Sequence, residues 1–139
     1  FESLAIVHHI TERFDGLAPT TSGADRDRYL SLITLMATTV YPAYHRQHHT
    51  RYYGFEEGFV GIKAKAREMN DTLFNYLEGQ LSPYVLGQNI CAADFYLYML
   101  TRWEPKKDQM RADRPKLAAF CDKMRSHNVV ETVLARQPR

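Results

Sequence analysis

Apolar residues recur at spacings of three and four along almost the whole chain, and that pattern fixes the fold class. Five windows show it, and none shows sustained alternation with β-branched enrichment, so the sequence predicts an all-α protein. The first window runs from about Glu2 to Phe14, with Leu4, Ile6, Val7, Ile10 and Phe14 as its stripe, and Asp15-Gly16 ends it. A stretch rich in Pro, Thr, Ser and Gly follows and reads as a linker over residues 17–24. Arg26 to about Tyr53 forms the second window. Pro42 lies well inside it, where a missing backbone donor should bend the helix. The third window spans Glu56 to about Leu81, with Lys63, Lys65 and Arg67 mostly outside its apolar stripe. The short fourth, Ala92 to Trp103, is apolar around much of its circumference and is expected to be the central buried helix. Pro115 opens the fifth, and a last turn runs from Asn128 to Ala135. Lys106, Lys107, Arg111 and Arg114, mixed with Asp108 and Asp113, read as a solvated loop.

Charge and composition exclude several functions. Eighteen Lys and Arg against sixteen Asp and Glu give a net charge of +2, too little to suggest a nucleic-acid partner. No run approaches the roughly eighteen apolar residues that a membrane span needs. The two cysteines, Cys91 and Cys121, form no CxxC pair, which suits buried thiols in a reduced, cytoplasmic protein. His45 and His49 stand four apart on one helix, but a metal site needs further ligands that the nearby sequence does not supply; no metal is expected.

The most specific local pattern is Ile90-Cys91-Ala92-Ala93-Asp94-Phe95. Asp94 stands three residues after the cap position, where its carboxylate can reach the backbone N–H of Cys91. Ile90 and Phe95 occupy the two positions of a hydrophobic staple. A carboxylate in so apolar a helix must be satisfied by hydrogen bonds, so Asp94 is expected to serve folding rather than acid catalysis. Cys91 is a weaker acceptor than the Ser or Thr usual at a cap.

Gly87-x-x-Ile90-x-x-Ala93-Asp94 resembles the capping box and staple in the C-terminal helical domain of cytosolic glutathione transferases, with Cys91 where that family has Ser or Thr. The approach Leu81–Gly87, the segment Arg114–Met124 and the tail Val129–Arg136 are similar to the family's neighbouring segments. In that tail Ser126-His127-Asn128 stands where the family often has an Arg-Pro pair. Glu2-Ser3-x-Ala5-Ile6 resembles the start of the last helix of the family's thioredoxin-like N-terminal domain. The resemblance therefore implies three parts: a remnant thioredoxin-like helix at 1–16, an interdomain linker at 17–24, and a C-terminal bundle of about five helices at 25–139.

Function follows from the resemblance as expectation. It implies conjugation of the glutathione thiolate to a small hydrophobic electrophile, with glutathione as co-substrate and a homodimer as the assembly. Glu2 and Ser3 would hold the γ-glutamyl end. A helix start offers N–H groups and partial positive charge to a carboxylate, although Glu-Ser before a helix is by itself a common N-terminus. Tyr41, Tyr44 and His45 would line the electrophile pocket, with packing as the other reading for the two tyrosines. Tyr52 and Tyr53 read as packing or surface residues, His8 and His9 as interface or packing residues, and Trp103 as core. The resemblance places the residue that activates the thiol upstream of Phe1, so the chain as given is expected to lack that part of the machinery. Two alternatives remain: a non-catalytic binding module built on the same helices, and a thiol-transfer or dehalogenating relative.

Overall fold

The computed structural model describes residues 2–137, and most of the described helices trace to the apolar periodicity of the sequence. Phe1, Pro138 and Arg139, at the outer ends of the first and last expected parts, lie outside the described residues. Among the described residues eight α-helices follow one another: α1 (Ser3–Thr11), α2 (Ala24–Leu35), α3 (Tyr41–His48), α4 (Phe59–Gln80), α5 (Ala92–Arg102), α6 (Lys107–Asp113), α7 (Pro115–Arg125) and α8 (Asn128–Arg136). Two short 3₁₀ turns, Thr50–Tyr52 and Glu56–Gly58, join α3 to α4. Among the described residues no strand forms; isolated bridges between Tyr84 and Gly87 and between Leu86 and Asn89 only stiffen the loop before α5. No described helix is long and apolar enough to cross a membrane.

The bend expected at Pro42 takes a specific form. Met36–Val40 is a π-helical turn between α2 and α3, and the Tyr41 N–H reaches back to the Met36 carbonyl. Proline cannot donate to the carbonyl four residues earlier, and its ring crowds that carbonyl, so the widened turn relieves the clash. Thr38 sits in this turn and donates its hydroxyl to the Thr34 carbonyl at 2.8 Å.

α5 is the axis of the core. Its Ala93, Asp94, Leu97 and Leu100 are wholly inaccessible to solvent, and α2, the π turn and α7 pack around it. Asp94 explains how its N-terminus tolerates that burial. One carboxylate oxygen accepts the Cys91 N–H at 2.8 Å and the other accepts the Val85 N–H at 2.9 Å. The Cys91 sulfur faces the Asp94 N–H, completing a reciprocal cap, and the Ala92 N–H donates to the Leu17 carbonyl at 2.7 Å. Three donors that a buried helix start would otherwise strand are thereby satisfied. Burial pushes the Asp94 carboxyl above its ordinary value, and the donors from Val85 and Cys91 draw it partly back. Ile90 and Phe95 both pack half-buried against the core.

One segment departs from the sequence reading. The charged stretch around residue 110 is not a wet loop: Lys107–Asp113 is a helix, anchored by buried Met110. Arg114 is 5% exposed, its Nε donating to Asn75 Oδ1 at 2.9 Å and its Nη2 contacting Asp71 Oδ1 at 3.2 Å. A guanidinium with partners on a neighbouring helix can be buried where an unpaired one cannot. Among the described residues α6 is thus an addition to the expected bundle, whose second helix is divided by the π turn into α2 and α3. α7 begins at Pro115 as expected, and Glu78 of α4 caps it, accepting the N–H groups of Lys116 and Leu117 at 2.9 and 2.5 Å.

Candidate functional site

Two groups of residues with binding chemistry lie on the bundle. The first is the start of α1. Glu2 is its N-cap, extended and exposed, and among the described residues the first rung of the helix is the Ile6 N–H donating to the Glu2 carbonyl at 3.1 Å. The N–H groups of Ser3, Leu4 and Ala5 precede that first rung, which is where a helix can accept an anion. The Ser3 hydroxyl lies 2.9 Å from the hydroxyl of Tyr96 on α5. Burial pushes the Tyr96 phenol above its usual range, and the Ser3 hydrogen bond draws it partly back.

The second group is an aromatic recess of about 210 Å³ lined by Tyr41, Tyr44, His45, His48, His49 and Trp103. Helical spacing brings the α3 residues to one side, and Trp103, just past the end of α5, closes the other. The Tyr41 and Trp103 rings meet edge to face with centroids 5.0 Å apart. Tyr44 is 1% exposed, and its hydroxyl donates to Glu104 Oε2 at 2.9 Å. It therefore supplies a ring edge to the recess floor, with its hydroxyl already committed; burial and the Glu104 carboxylate push the phenol far above its ordinary value. His45 Nδ1 lies 2.7 Å from the Tyr53 hydroxyl, and its ring packs on His49, centroids 4.7 Å apart. Tyr52 and Tyr53 lie at the surface, and His8 packs edge-on against Tyr29.

Trp103 corrects the sequence reading. It was expected in the core, yet it is 37% exposed and forms a wall of the recess. The chain leaves α5 at this residue and turns into Glu104-Pro105, so the indole stands at the rim of the core rather than within it. His48 belongs to the recess as well, its Nε2 lying 3.3 Å from the Trp103 carbonyl oxygen. The clue available in the sequence was spacing: Tyr41, Tyr44, His45 and His48 repeat at three and four.

The bundle carries other recesses, among them one of about 450 Å³ between α5 and α8, lined by Phe95, Tyr98, Met99, Trp103, Val130 and Leu134. A polar cleft of about 420 Å³ between α4 and α6 sets Arg67 and Lys106 among Asp71, Glu104 and Asp113. Among the described residues, no three His, Cys, Asp or Glu side chains gather as metal ligands. Both cysteines are buried free thiols, and burial pushes Cys91 up to about 12 and raises Cys121.

A sequence model of the glutathione S-transferase C-terminal domain matches residues 50–137, well over half of the chain. The chain belongs to the glutathione S-transferase C-terminal domain family. Solved structures agree on the fold. BphK, a bacterial glutathione S-transferase seen in a ternary complex, superposes with a TM-score of 0.82 at 22% identity, over 97% of this chain and 66% of its own. A glutathione transferase homologue from Sulfitobacter, with bound glutathione, gives 0.78 at 25% identity over 95% and 64%. A sphingomonad glutathione S-transferase complexed with glutathione gives 0.76 at 24% identity over 97% and 66%. This chain thus spans just under two thirds of the length of these structures. A search of curated protein sequences finds no match.

Proposed function

We propose that the chain forms the helical part of a glutathione transferase that conjugates the glutathione thiolate to a small hydrophobic electrophile. The division of labour follows the two groups described above. The α1 start, with Glu2 and Ser3, receives the γ-glutamyl end: first-turn helix N–H groups and the Ser3 hydroxyl suit its carboxylate, and the Glu2 carboxylate suits its ammonium. The recess of Tyr41, Tyr44, His45 and Trp103 receives the electrophile. Its aromatic faces favour flat apolar ligands, and His45 provides a polar edge. Residues 1–16 act as the last helix of a thioredoxin-like domain, 17–24 as the linker and 25–139 as the C-terminal domain, with the complete enzyme a cytoplasmic homodimer. The residue that activates the thiol lies outside this chain.

The observation that carries this reading is the coexistence, on a glutathione-transferase fold, of an open helix start and an aromatic recess. The test is retention of the full-length protein on immobilised glutathione, followed by an assay with an activated aryl halide. Retention with turnover supports the reading. Failure to be retained would favour a non-catalytic module, and retention without conjugation would favour a thiol-transfer or dehalogenating relative.

A further inference from the structure

We propose that Tyr96 is the positioning residue of the α1 site, turning the Ser3 hydroxyl proton toward the carboxylate of a γ-glutamyl ligand. The inference rests on the reading of Ser3 as a glutathione-binding residue. The argument is one of proton inventory. A serine hydroxyl has one proton to give and lone pairs to accept with, and a carboxylate can only accept. Ser3 Oγ and the Tyr96 hydroxyl are 2.9 Å apart, and without a ligand either one can donate. Once a carboxylate docks on Ser3, the serine proton is committed to it, so Tyr96 must donate to Ser3. The result is a directed chain, Tyr96 O–H to Ser3 O–H to carboxylate, in which each bond polarises the next.

The location of Tyr96 suits this role. It is 6% exposed and belongs to α5, whose Ala93, Leu97 and Leu100 are wholly buried and whose start is fixed by Asp94. Ser3, by contrast, begins an otherwise largely exposed helix that lacks a side-chain cap. The Tyr96 tie spans 93 residues of sequence and registers the binding hydroxyl against the buried helix of the bundle. A phenol is protonated at neutral pH in any case, and burial raises Tyr96 further, so its hydroxyl is available as a donor.

The experiment is a calorimetric titration of the full-length protein, as made by its source, with glutathione and with an analogue whose γ-glutamyl carboxylate is an amide. Wild type, Ser3→Ala, Tyr96→Phe and the double variant are compared. Tyr96→Phe retains the ring and its packing and removes only the hydroxyl. The expected result is glutathione binding weakened about five- to tenfold by either single change, in the range of one lost hydrogen bond. The double variant should be no weaker than Ser3→Ala, and Tyr96→Phe should leave binding of the amide analogue nearly unchanged. If Ser3→Ala weakens binding and Tyr96→Phe does not, the positioning role is overturned while the Ser3 reading stands. Equal loss for glutathione and the amide analogue, or additive losses in the double variant, would reduce Tyr96 to a packing role and also overturn it. If Ser3→Ala binds as wild type, or wild type does not bind, the reading of Ser3 itself fails.

Discussion

The two ends of α5 are built from similar material and put to opposite uses. At its start, Cys91 lies in the core with Ile90 and Phe95 packed against it, and both carboxylate oxygens of Asp94 accept backbone N–H groups. At its other end, Trp103 emerges at 37% exposure beside the Tyr41 and Tyr44 rings, leaving a recess of about 210 Å³. The contrast teaches that an unusual residue marks a functional site only when its polar groups remain available. Asp94 has spent its acceptors on the fold. Around the recess, aromatic faces and histidine edges are still open to a ligand.

The sealed end carries the largest expected effects. The Cys91 thiol, lifted from 9.0 to about 12, should present about a thousandfold less thiolate than an ordinary cysteine at a given neutral pH. Reaction with a disulfide reagent should therefore track unfolding, and rapid labelling of Cys91 in the folded protein would contradict the description of that end. Asp94→Ala leaves the Val85 and Cys91 donors buried without partners and should cost about 3 kcal/mol, read from denaturant unfolding. At the open end, Tyr44→Phe removes one hydrogen bond to Glu104 and should cost only about 1 kcal/mol. A loss as large as that for Asp94 would show the recess floor to be as structural as the helix start.

The smallest effect concerns an exposed carboxylate, which behaves unlike the buried one. Arg111 lies 2.8 Å from Asp122 and holds its carboxyl below the usual carboxylate value, because the pair favours the charged form in the folded state. The folded protein thus binds the Asp122 proton less readily than the unfolded chain. Its stabilising contribution is present above the ordinary carboxylate value and disappears as pH falls through the depressed folded value. Asp122→Asn should be slightly less stable than wild type near neutrality, with the difference closing in acid. A difference that persists in strong acid would point to a cause other than the charge pair.

The helices were legible wherever an apolar stripe ran long enough, as in α4 and α5, and the cap of α5 was legible because Asp94 follows Cys91 by three residues. Pro42 announced a bend, though its resolution as a π turn depends on how α2 and α3 pack. α6 escaped because seven residues with one buried anchor, Met110, give no periodicity to read. Arg114 escaped because its partners, Asn75 and Asp71, lie some forty positions away. In the candidate site, Tyr41, Tyr44, His45 and His48 could be grouped from spacing alone. The Tyr44–Glu104 and Ser3–Tyr96 bonds could not, since they join residues 60 and 93 positions apart. The position of Trp103 likewise depends on where the chain turns away from the core, which no local pattern encodes.

The central claim is that glutathione is held at the start of α1 and an electrophile in the aromatic recess. The most direct measurement is a two-step amide-resonance titration of isotopically labelled full-length protein, first with glutathione and then with an S-aryl glutathione conjugate. The expected result is saturable shifts at Ser3, Leu4 and Ala5 with glutathione, extending to Tyr41, His45 and Trp103 with the conjugate. Shifts confined to other surfaces, or none at the start of α1, would contradict it.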